Sequence, residues 1–177
     1  VKFRLATIFV LCGFCTGILP LQIHAAPIRH EESAAPTAVE LRMETVVLAK
    51  VNQQRVKYGL PTLVTNPLLT QAARDQSKWM AKNNAVAHTD LQGRNVGDRA
   101  QDAGYLYYTI LGENLAMNSG FAKPVETAVA GWMKSTGHRD NILLAEYTET
   151  GIGVCIKGKE IYITQVFGNP PPVYPPE

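Results

Sequence analysis

Cysteine is nearly missing from this chain: of 177 residues three are Cys, and Cys12 and Cys15 fall in an apolar N-terminal run, leaving Cys155 alone in the remainder. A single thiol excludes an intramolecular disulfide framework and the small bridge-held folds that depend on one. An excess of either charge is missing too. The 17 basic residues stand against 15 acidic ones, and without Lys2 and Arg4 the two counts are equal at 15. That balance gives no electrostatic basis for binding nucleic acid or an anionic membrane surface. Outside the apolar leader there is no H-E-x-x-H, C-x-x-C, G-x-S-x-G or phosphate-cradling glycine loop. No local spacing therefore names a metal, nucleophile or nucleotide site.

Lys2 and Arg4 precede an apolar run from Leu5 to Leu19, interrupted by Pro20, Gln22 and His24 and followed by Ala25 and Ala26. This is the layout of a secretory signal peptide over residues 1–26, with an uncleaved N-terminal anchor as the alternative. The product is expected in the periplasm or outside the cell, with no stable membrane span after cleavage. Residues 27–40, carrying Glu31, Glu32, Ser33 and Pro36, read as a flexible linker. Residues 41–169 are long enough to bury an ordinary core as one domain. Residues 170–177 form a proline-rich tail.

Within the domain, Met43, Val47, Leu48, Val51 and Tyr58 fit one face of a helix stopped by Gly59 and Pro61. A second helix is expected from an Asn66 cap with Pro67 in the first position, burying Leu69, Ala72, Ala73, Gln76, Trp79 and Met80. A short helix follows from Val96 to Ala103. The tyrosines Tyr105, Tyr107 and Tyr108 come next, either packing in part on the core or lining a groove. Val125, Val129, Trp132 and Met133 recur at helical spacing up to Ser135, after which Gly137 is expected to reverse the chain ahead of His138. Two alternating, β-branched stretches, 151–157 and 160–167, make an antiparallel hairpin around Gly158. Helices preceding a hairpin define an α+β domain with helices packed on a sheet.

Three polar residues stand out against this frame. His88 sits in the polar loop A-H-T-D-L-Q-G-R-N, away from any amphipathic stripe. Glu113 lies between Leu111 and Leu115, so its carboxylate is either buried with a partner or facing a cleft. His138 stands at a bend between two apolar anchors, either satisfying the turn or facing a cleft.

The segments carrying these residues occur in a telling order. They are H-T-D at His88, D-R-A-x-x-A-G-Y ending at Tyr105, G-E-N-L-A from Gly112, W-M-x-S-x-G-H-R-x-N-I-L from Trp132, Y-T-E-x-G-I-G-V from Tyr147, and T-Q-V-F from Thr164. Together they resemble the bacterial branch of the CAP superfamily, the cysteine-rich secretory, antigen 5 and pathogenesis-related 1 proteins, also known as SCP-like. The resemblance covers residues 44 to 168. It implies a single-domain, three-layer α-β-α sandwich, a secreted location and a central cleft holding two histidines and acidic residues, here His88, His138 and Glu113. Where many eukaryotic members carry a second glutamate three positions after the tryptophan, this chain has Ser135.

Two neutral imidazoles and a carboxylate can hold a divalent cation, zinc first, with magnesium or calcium as alternatives. Candidate supporting partners are Asn114, Ser135 and Asp90. The same three residues can instead form a hydrogen-bonded polar cluster that fixes the fold. The resemblance implies a binding or interaction module whose partner is a small apolar ligand, an envelope component or a host protein. The alternative is a metal-dependent ester or peptide hydrolase using Glu113 as ligand or base. A reaction of Ser135 with His138 is a weaker third.

Overall fold

The computed structural model describes residues 35–170; the stretch expected to be a signal peptide, most of the expected linker and nearly all of the expected tail lie outside the described residues. Helix α1 (Ala38–Lys57) starts from a capping box, Thr37 Oγ1 accepting from the Glu40 N–H and Glu40 reaching back to the Thr37 N–H. That box brings the last three residues assigned above to the linker into the first turn. Val47 and Val51 are fully buried, whereas Tyr58 leaves the expected face to cap the helix end, 55% exposed. Helix α2 (Pro67–Asn83) begins as expected, Asn66 Oδ1 accepting from the N–H groups of Leu68 and Leu69. Trp79 of its predicted stripe is half-buried.

Three shorter helices follow: α3 (Val96–Asp102), α4 (Pro124–Lys134) and α5 (Thr136–Leu143). The chain changes direction between α4 and α5 at Ser135, which is extended with ψ 125°, and not at Gly137. One extended residue is enough to redirect the helix axis. Gly137 keeps a negative φ and, with His138, lies in the first turn of α5.

The strands β1 (Val64–Thr65), β2 (Ile110–Ser119), β3 (Glu149–Lys157) and β4 (Glu160–Asn169) form one sheet in the order β1-β3-β4-β2. β1 runs parallel to β3, and the other pairs are antiparallel. The β3–β4 hairpin turns at Gly158 as expected, at φ +61°. β1 and β2 were not expected as strands.

Helices α2 and α3 cover one face of the sheet and α1, α4 and α5 the other, giving the three layers. The larger core lies under α1, α4 and α5, where Val47, Val51, Val129, Trp132 and Ile142 meet Ile152, Val154, Ile163 and Phe167. On the opposite face two glycines of the G-I-G-V stretch set the spacing. A Cβ at Gly151 would lie 2.1 Å from the backbone of Leu69 and Thr70, and one at Gly153 would lie 2.3 Å from that of Ala73 and Arg74. Backbone therefore rests on backbone here.

β1 pairs with only the first two residues of β3, and the rest of that edge is closed by side chains of α1. Ile156 N–H donates to Glu40 Oε1 at 2.8 Å and Val154 N–H to Glu44 Oε1 at 3.4 Å. Arg74 grips Glu44 with two hydrogen bonds. At the far end of α1, Arg55 is 1% exposed and donates to the carbonyls of Pro61, Ile142, Leu144 and Tyr147 at 2.8 to 3.0 Å. Burial pulls its pKa below the ordinary guanidinium value.

Candidate functional site: a polar cluster at the outer edge of β2

The G-E-N-L-A stretch is part of β2, at the margin of the sheet, and each of its first three residues has a separate task. Gly112 leaves room for Tyr147, whose hydroxyl would lie 2.2 Å from any Cβ placed there. Glu113 and Asn114 are consecutive, so their side chains leave opposite faces of the strand. Glu113 reaches the α2–α3 layer, and Asn114 reaches α5. The carbonyls of Glu113 and Leu115 point away from β4 and are taken by Asn141 Nδ2 at 3.2 Å and Trp132 Nε1 at 2.9 Å. Asn114 Nδ2 holds the His138 carbonyl at 3.0 Å, and its Oδ1 accepts from Asn141 at 3.0 Å. These bonds seat α5, and so His138, against the strand from one layer while His88 comes from the other.

On the α2–α3 side, Glu113 is buried with both oxygens engaged. Oε1 meets His88 Nδ1 at 2.9 Å, and Oε2 accepts from Arg99 Nη2 at 2.7 Å. The two side chains of the Arg99–Glu113 pair are 4% and 2% exposed, whereas the His88 ring is 61% exposed. Arg99 also holds the His88 carbonyl at 3.2 Å, and Gln76 holds that of Ala87 at 2.5 Å, so the loop is pinned from beneath. Gln76, Ser77, Thr164, Glu113 and Arg99 together form a buried polar layer. It runs between the apolar group of Leu69, Ala73, Ala100, Tyr105 and Val166 and that of Met80, Leu115 and Tyr162.

The bond to Glu113 raises the His88 pKa above its ordinary value despite opposing desolvation. Desolvation, with a further contribution from the charge of His88, lowers that of His138. With Nδ1 committed to Glu113, His88 presents Nε2 outward.

Arg99 was missed as a site residue in the sequence; its signal is a lone arginine beside Ala100 on the core-facing side of a short capped helix. Of the expected supporting partners, Asn114 holds α5. Asp90 closes its own loop, accepting from the N–H groups of Gln92 and Arg94. Ser135 is exposed, and its side chain makes no capping bond. Tyr105 is buried, stacks on Tyr108 at 5.9 Å and donates to Glu149, while Tyr107 is 77% exposed. Among the described residues no group of three His, Cys, Asp or Glu side chains is gathered to hold a metal. Both Glu113 oxygens are engaged, one by His88 and the other by Arg99.

Fold and site define a three-layer α+β domain in which His88, Glu113 and Arg99 are linked beside an edge strand and α5, carrying His138, is seated on the same strand. Residues 48–167 match the family model described as CAP, cysteine-rich secretory protein family, and the chain belongs to that family. It is 34% identical over 131 residues to the Bacillus subtilis membrane protein YlbC, spanning 73% of this chain and 35% of that protein. Among solved structures, an extracellular SCP-domain protein from Bacillus anthracis superposes with a TM-score of 0.64 at 28% identity, over 77% of this chain and 45% of that one. NaASP2, solved with Zn2+, superposes with a TM-score of 0.54 at 16% identity, over 77% of this chain and 88% of that one, a likeness of fold. The chain thus spans less than half of the first two relatives. No helix among the described residues is long and apolar enough to cross a membrane.

Proposed function

We propose that this CAP domain acts outside the cytoplasm as a binding module, with a divalent cation held by His88 and His138 at the edge of β2. A small apolar ligand, an envelope component or a host protein is its partner. The observation that carries this reading is the engagement of Glu113. A carboxylate bonded to one ring nitrogen of a histidine fixes the ring and turns the other nitrogen outward, the arrangement that commonly supports a metal-binding imidazole. A bound cation would supply a Lewis-acidic anchor for a carbonyl or carboxylate of the ligand. The extracellular SCP-domain relative supports the location.

The hydrolase reading requires a free base, and Glu113 is tied to Arg99 while Ser135 stands exposed without a bonded histidine. Binding is therefore placed ahead of catalysis. The test is zinc calorimetry on the purified protein and on the His88→Ala/His138→Ala double variant. Stoichiometric uptake lost in the variant, with the fold retained by circular dichroism, is the expected result. Turnover of an ester or peptide panel that disappears on Glu113→Gln would reverse the ranking.

A further inference from the structure

Helices α1 and α4 lie side by side on the face of the sheet opposite α2 and α3, and a furrow runs between them. Two shallow cavities of about 320 and 410 Å3 follow one another along it, joined at Glu126, which lines both. Val39, Met43 and Val46 of α1 and Val125, Val129 and Met133 of α4 make the floor, spaced so that each set shares one side of its helix. Val39 and Val46 are 43% and 37% exposed, so apolar surface is left open to water here. The rims carry cations. Arg42 and Lys123 flank the first cavity, Lys50 and Lys134 the second, and none of the four is paired with a carboxylate among the described residues. The acids of α1, Glu40 and Glu44, are turned to the edge of β3, so Glu126 is the single acid lining the furrow.

The spacing of these cations decides what kind of occupant they suit. By the rise of an α-helix, Arg42 and Lys50 stand about 12 Å apart along α1, and Lys123 and Lys134 about 16 Å apart along α4. A single anionic headgroup meets only one pair of them, and small ligands are ordinarily enclosed far more deeply than an open furrow allows. A flat lipid surface does not reach a floor recessed between two helices. A third helix does, laying its apolar stripe into the groove and its flanking side chains over the rims. We propose that the α1–α4 furrow is a docking surface for an amphipathic helix of a partner protein, with acidic residues on both flanks of its apolar stripe. Its residues are separate from His88, Glu113, Arg99 and His138, so the inference does not depend on the cation reading above.

The probe is a fluorescein-labelled synthetic helical peptide with a leucine stripe flanked by glutamates, beside the same peptide with lysine in place of every glutamate. Binding to the full chain is read by fluorescence anisotropy. The acidic peptide should saturate a single site and bind about tenfold or more tighter than the basic one. Arg42→Glu/Lys123→Glu at one end and Lys50→Glu/Lys134→Glu at the other should each weaken it about tenfold. Val46→Asp, which puts a charge on the floor, should weaken it too, and circular dichroism checks that each variant is folded. Absence of acidic-peptide binding overturns the inference, as does equal affinity for the basic peptide. A folded double reversal at either end that leaves affinity unchanged also overturns it, because the partner would then not span both cavities. Displacement of the peptide by palmitate or by phosphatidylglycerol vesicles at lower concentration overturns it in favour of a lipid.

Discussion

Replacing Arg55 by methionine keeps the length of the side chain and removes the guanidinium, and its cost follows from what the four carbonyls lose. Those of Ile142 and Tyr147 lie in buried hydrogen bonds, while those of Pro61 and Leu144 are partly exposed and can turn to water. Two buried orphans cost about 1–3 kcal/mol each. Release of the guanidinium from its desolvated setting offsets part of that. The net loss is about 2–4 kcal/mol, a large share of the roughly 5–15 kcal/mol that holds a domain folded. Urea unfolding followed by tryptophan fluorescence should show the midpoint falling by about 1–2 M at unchanged slope. Arg55→Lys, with three donors and no fork, should fall between the two. A methionine variant with the wild-type midpoint would refute the view that this buried cation ties α1 to the end of α5.

Gly153→Ala drives a methyl group into the backbone of Ala73 and Arg74, so α2 must lift from the sheet; a loss of about 1–3 kcal/mol or more is expected in thermal melts. Asn114→Ala removes the bonds to His138 and Asn141 at a cost of about 1–3 kcal/mol, and hydrogen exchange should quicken in α5 before it does in α4. By NMR titration His88 should show a midpoint above 6.5 and His138 one below it. The raised group contributes stability that is complete below pH 6.5 and is lost as pH climbs through its folded value. The lowered group acts in the opposite sense: acidification from 6.5 down through its folded value removes stability, because the unfolded chain takes the proton first. His88→Ala should therefore flatten the stability profile above 6.5 and His138→Ala below it.

Helix α2 was legible because an asparagine cap, a proline and a stripe of apolar residues agree on one answer, and the β3–β4 hairpin because β-branched residues flank a glycine turn. β2 was not. Its Gly112, Glu113, Asn114 and Asn118 break the apolar alternation that marks a strand, and each is polar or small for a contact made with another layer. The bend before His138 was placed two residues late because glycine was taken as the turning residue, whereas a single extended serine suffices. His88, Glu113 and His138 were picked out by sequence order and resemblance. Arg99 and Arg55 escaped notice because a buried arginine is justified only by partners distant in the chain.

The covering of β3 by α1 has a consequence for where the domain can be cut. The stretch matching the family model begins at residue 48, beyond both Glu40 and Glu44. A fragment trimmed to that boundary would carry a bare ribbon of amide hydrogens at Val154 and Ile156, an invitation to pair with the same ribbon on a neighbour. Those two carboxylates work as a sleeve over a raw edge. The two residues that cover this edge lie outside the part of the chain by which its kinship is recognised.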